Sequence, residues 1–178
     1  MQGLSRRFMG FAVLVALLGL FVVGAPVAAS VTDANHDYIA TTTPGGEVPF
    51  SDSGTYGWAI LHINDDGQSM TWTLWVNAIN DPIAAHIHVG GIGVNGPVVV
   101  SLYSGKNVGP FSGVMSSGTI TAKDLDGPLK GKTMDDLFAA MKSGNAYVNI
   151  HTVKNPGGES RGQVHSAEAA TTAYGTIG

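Results

Sequence analysis

From Thr55 to Ser166 the chain is a series of short stretches in which alternate residues are apolar, broken at almost every junction by a glycine-bearing turn. A period of two is that of a β-strand with one buried face, and frequent glycine turns leave little room for long helices. Tyr56–Ile63 and Met70–Ile79 are two such stretches, and Asp66-Gly67 between them is a hairpin signal. In the second, Trp72, Leu74 and Val76 are expected to face the core, opposite Thr71, Thr73, Asn77 and a partly exposed Trp75. Ala84–Val89 and Pro97–Tyr103 read as strands around a tight connection rich in glycine (Gly90, Gly91, Gly93, Gly96), and Thr119–Ala122 as a further short strand. Ala146–Val153 and Glu159–Ser166 follow, joined by Asn155-Pro156-Gly157-Gly158. One helix stands out. Thr133 is its N-cap with Asp136 at N3, Met134, Leu137, Phe138 and Met141 repeat at helical spacing, and Gly144 supplies the stop. Together these predict an all-β fold, an antiparallel β-sandwich or Greek-key barrel with one short inserted helix.

Composition bounds the chemistry. The chain has 178 residues, enough for one domain plus a leader, and 9 Lys+Arg against 13 Asp+Glu, so no basic face for nucleic acid is expected. It has no cysteine, which excludes a disulfide scaffold, thiolate zinc, iron–sulfur clusters and type-1 copper. Met1–Ala29 reads as an export signal: Arg6-Arg7, an apolar run from Phe8 to Gly24, then Val27-Ala28-Ala29 before Ser30. The run is about 17 residues, short for a spanning helix, so a membrane association is expected only if the leader is kept as an anchor. Cleavage would remove two of the nine bases and no acid, leaving seven against thirteen and a net charge of −6 on an exported, secreted chain. The expected layout is a signal peptide at 1–29, a polar arm or first edge strand at 30–54, the folded domain at 55–166 and a loose tail at 167–178.

Two motif matches fail on their context. Gly91–Gly96 satisfies GxGxxG, but a strand follows it rather than the helix whose N-terminus would hold a pyrophosphate. Gly158–Gly162 satisfies GxSxG, yet it opens a hairpin strand with no helix after it.

The six histidines carry more. His86-Ile87-His88 sets two imidazoles on one face of one strand. His151, on a late strand, would complete a set of three if the two strands are neighbours, and three histidines with an open position is a pattern for copper or zinc. The alternative is that they are hydrogen-bonded structural residues. His62 and His165 are possible fourth ligands whose direction depends on register; His36 lies in the polar arm. Glu159 and Arg161, at i and i+2, suggest an ion pair, or a carboxylate that orients a ligating histidine.

Ala85-His86-Ile87-His88 with Gly96–Val100, Thr133–Leu137 with Gly144–Thr152, and the closing Asn155–Gln163 resemble the CHRD domain, named for its repeats in chordin. The likeness runs from about Thr55 to His165, with Ser160 where the family usually carries an aliphatic residue. Its microbial members are typically exported single domains, and in chordin the repeats belong to an extracellular binding protein. The family is similar in outline to copper–zinc superoxide dismutase, and the residues of that likeness are His86, His88 and His151. Without a disulfide or a separate zinc-binding loop, the resemblance implies one copper and no zinc. Two readings follow: a mononuclear copper protein that dismutates superoxide or carries copper, and a non-catalytic extracellular binding or matrix module. An acidic chain gives superoxide no general attraction, so the first needs a local cation, and Lys154 and Arg161 are the candidates near His151.

Overall fold

The computed structural model describes residues 36–105 and 109–168. The leader, residues 30–35 and the tail from 169 lie outside them. The described chain forms nine strands and one α-helix: β1 (Asp37–Thr42), β2 (Tyr56–Ile63), β3 (Ser69–Asn80), β4 (Pro82–Val89), β5 (Val98–Ser104), β6 (Pro110–Thr121), α1 (Met134–Lys142), β7 (Ala146–Thr152), β8 (Ser160–Gln163) and β9 (His165–Ser166). Two antiparallel sheets, ordered β6-β3-β2-β1-β9 and β5-β4-β7-β8, pack as a sandwich.

Alternation builds the core between them. Ala59, Leu61 and Ile63 of β2 and Met70, Trp72, Leu74 and Val76 of β3 are buried, as are Ala85 and Ile87 of β4 and Val148 and Ile150 of β7. Trp58 and Trp75 are cross-strand partners on the outer face, stacked with ring centroids 4.0 Å apart. Register shifts at Leu74/Trp75 and between Val76 and Ile79 mark bulges in β3. The helix has the expected capping box, Thr133 with Asp136, and buries Met134, Leu137, Phe138 and Met141; Gly144 follows it at φ +71°.

Two elements differ from the sequence expectation. β1 falls inside the segment read as an arm or edge strand, and it is an interior strand, paired over six residues with β2 and at its other edge with β9. Its inward residues are Tyr38, Ala40 and Thr42, too small and polar a set to stand out. β6 runs twelve residues where Thr119–Ala122 was expected, because an edge strand, paired on one side only, tolerates a Ser- and Gly-rich sequence that carries no strand pattern.

At the end of β1 the chain crosses to the second sheet. Thr43 and Arg161 exchange backbone hydrogen bonds, 3.0 Å each way. A 3₁₀ turn, Pro44–Gly46, then packs on Arg161: a Cβ on Gly46 would lie 2.2 Å from the Arg161 carbonyl oxygen, so no other residue fits without displacing it. This crossing delivers Glu47 to the outer face of the second sheet.

Candidate metal centre

On β4, Ala85 and Ile87 point into the core, so His86 and His88 share the outer face; on β7, Val148 and Ile150 point inward, so Tyr147, Asn149 and His151 face out. The antiparallel register sets His88 opposite Tyr147, His86 opposite Asn149 and Ala84 opposite His151. His151 is therefore a diagonal neighbour of His86. One potential ligand atom from each of His86, His88 and His151 lies within 4.8 Å of the others. Ring centroids are 5.0 Å apart for His86–His151, 5.7 Å for His86–His88 and 6.2 Å for His88–His151.

Backbone carbonyls fix two of the three tautomers. His88 Nδ1–H donates to the Gly96 carbonyl (2.9 Å) and His151 Nδ1–H to the Pro156 carbonyl (3.0 Å), so each keeps its lone pair on Nε2. His151 Nε2 then accepts from His86 Nδ1 at 3.2 Å. His88 Nε2 is buried and has no partner, the one such side-chain atom among the described residues. His88 is 8% exposed and His151 9%. Burial pushes all three imidazoles below their ordinary range, His86 to about 4 with help from the charges His151 and His88 would carry. At neutral pH the cluster is three uncharged nitrogen donors, the form in which histidine ligates.

The wall beside His88 is built in layers. The His88 ring stacks on Tyr147 (4.7 Å, 11°), and the Arg161 guanidinium lies 3.5 Å from the Tyr147 centroid. Arg161, only 3% exposed, donates to the carbonyls of Gly91 and Val94 and to Asn95 Oδ1, fastening the glycine-rich loop over the cluster. The Tyr147 hydroxyl accepts from the Gly96 amide at 3.0 Å. Glu47, 8% exposed, accepts from Asn149 Nδ2 at 2.5 Å. Burial pushes its carboxyl up to about 7 even though Arg161 and Asn149 pull the other way. A cavity of about 220 Å³ opens between Glu47, Asn149, His88 and His151. His86 lines a separate open groove of about 380 Å³ with Ser101, Lys123, Asp124, Asp126 and Lys130.

The remaining candidates lie elsewhere or do other work. His62 faces outward from β2 against Asp37 (2.7 Å), and exposed His165 sits in β9, in the other sheet, so neither reaches the three histidines. His36 lies 3.8 Å from Asp65. Glu159 and Arg161 do not pair with each other. The Glu159 carboxylate takes Ser53, Thr55, Thr152 and Asn155. Burial pushes it up, but those four bonds outweigh that and hold it below the usual range. It touches no histidine; it pins Asn155, next to the Pro156 carbonyl that orients His151. Lys154 is drawn to Asp52 (3.2 Å). The neighbours of the cluster that sequence reasoning missed are Tyr147, Asn149 and Glu47. The first two were findable, since they share the period-two face of His151; Glu47, a hundred residues away, carried no local signal.

The donor set fits a first-row transition ion. It offers three neutral imidazoles, two of them pre-oriented by carbonyls, and a buried lone pair that no protein group satisfies. A family model described as CHRD domain matches residues 38–164. No curated protein and no solved structure matches the chain.

Proposed function

The chain belongs to the CHRD domain family, and on that premise we propose that it is an exported mononuclear copper protein, held at His86, His88 and His151, that dismutates superoxide. The observation that carries this reading is the buried, unpartnered Nε2 of His88 beside the lone pair of His151. Leaving such an atom unsatisfied costs about 1–3 kcal/mol, and a cation at the centre of the cluster removes that cost. Bound there with an open position, copper supplies a one-electron couple. In dismutation one superoxide gives up its electron and leaves as dioxygen; a second takes that electron and two protons and leaves as hydrogen peroxide. On the His86 side Lys123 and Lys130 line the groove together with Asp124 and Asp126, so that groove carries no net positive charge. Arg161 is committed to the loop and Lys154 to Asp52.

The test is metal analysis and copper EPR on the chain from Ser30, loaded with one equivalent of Cu(II). We expect one copper with nitrogen hyperfine structure, lost in His88→Ala and in His151→Ala. No stoichiometric copper in the parent sinks the reading. One observation favours the second, that of a binding module with structural histidines: His86 and His151 satisfy each other at 3.2 Å without any ion. In that case added copper and a chelator both leave the melting temperature where it was.

A further inference from the structure

The small cavity against His88 and His151 has a carboxyl group built into its opposite wall. Glu47 reaches it through the strand crossing at Thr43 and the Pro44–Gly46 turn. Its carboxyl rests on Gly158, where a Cβ would lie 2.2 Å from Oε2, so a bare backbone position makes the room. Oε1 accepts from Asn149, two residues before His151 on the same face of β7. Oε2 has no hydrogen-bond donor among the described residues. Glu47 and His88 thus line one small space, and His88 Nε2, in a side chain more than nine-tenths buried, has no partner there.

The rest of the lining, including Asn95, Gly96, Tyr147 and Gly157, is mostly polar. At roughly 30 Å³ per water, about 220 Å³ holds several waters or one small hydrated ion. The absence of an apolar wall argues against an organic substrate. Glu47 also lines the groove of about 430 Å³ on its far side, with Phe50, Asn155 and Pro156. It stands between the inner space and an opening from which a proton can be replaced.

We infer that Glu47 is the proton donor of the histidine site, hydrogen-bonding a small oxygen anion in the cavity and passing it a proton. The inference rests on the copper reading above. The carboxyl O–H bond breaks as a new O–H bond forms on the superoxide being reduced. With copper held by the three histidines, its reduced form would supply the electron, water would supply the second proton, and the product would be hydrogen peroxide. The Glu47 carboxylate regains its proton from water in the outer groove. A protonated carboxyl suits an anionic ligand, and burial keeps the proton on Glu47 up to about pH 7.

The experiment uses the copper-loaded chain from Ser30, with azide as a stand-in anion followed by its charge-transfer band, and superoxide decay followed separately. Copper stoichiometry is expected to be unchanged in Glu47→Ala, Glu47→Asp and Glu47→Gln. Azide binding weakens about tenfold in Glu47→Ala and Glu47→Asp, and stays within about twofold in Glu47→Gln, whose amide still donates. Superoxide decay falls about a hundredfold in Glu47→Gln, which donates a hydrogen bond but no proton. The aspartate variant answers the binding question should the alanine variant fail to fold. Unchanged azide affinity in both shortened variants, or loss of copper from them, overturns the role given to Glu47. An undiminished rate in Glu47→Gln overturns proton transfer. A parent chain without copper overturns the reading underneath, and copper and azide bound without superoxide decay overturns dismutation together with the proton step.

Discussion

The residues of the site have been set, by burial, against the charge states they would hold in water, and this gives the apo protein a pH signature of two opposite parts. The three imidazoles are held below the ordinary histidine value of 6.5, His86 at about 4. An unfolded chain takes up protons near pH 6.5 that the folded one refuses, so their contribution to stability is present above 6.5 and is lost as the pH falls toward 4. Glu47 runs the other way. Its carboxyl is raised from 4.5 to about 7, so its contribution is full below about 4.5 and is lost as the pH rises through 7. Glu47→Gln removes only the second part. The difference in melting temperature, variant minus parent, is expected to become more positive from pH 5 to pH 8 in metal-free protein. A flat difference would mean that the carboxyl is not perturbed. His86 and His88 were legible in the sequence because HxH on a strand fixes a shared face, whereas His151 depended on its strand lying beside theirs, as β7 does beside β4. Glu47 was not legible: its place depends on a crossing between sheets that no local pattern encodes.

Among the elements, what could be read was what carries its own signal. The β2–β3 hairpin has a turn residue pair and clean alternation, and α1 has a capping box and a glycine stop. β1 and β6 lack such marks because each borrows stability from partners: β1 lies between two strands, and β6 offers Ser and Gly along an exposed edge. Thr133→Ala deletes the N-cap and is expected to cost about 1 kcal/mol in urea unfolding. It leaves copper stoichiometry untouched, since α1 places none of the three histidines. Gly46→Ala acts differently. Its Cβ would meet the Arg161 carbonyl at 2.2 Å, so the turn must shift, at a cost of about 1–3 kcal/mol. Because that turn carries Glu47, Gly46→Ala is also expected to weaken azide binding to the copper form. An effect on stability alone would separate the turn from the site.

For the molecule as a whole, the proposed copper would add to a fold whose apolar core lies on the other side of the sheet from the histidines. With free copper about a hundredfold above its dissociation constant, stabilisation of about 2.7 kcal/mol is expected, seen as a rise in melting temperature that a chelator reverses. The same titration on His88→Ala should give no rise. The fold class followed from the rhythm of strands and turns, whereas strand order did not, and strand order is what brings β4 beside β7.

The histidines stand on the outside of the second sheet, with the apolar core on its other side. Many small metalloproteins collapse only around their ion, so chain and metal must meet at the moment of folding. On the copper reading the two events would be separable in time: the polypeptide would finish folding on its core alone, in one place, and be charged later in another, without unpicking anything it has made.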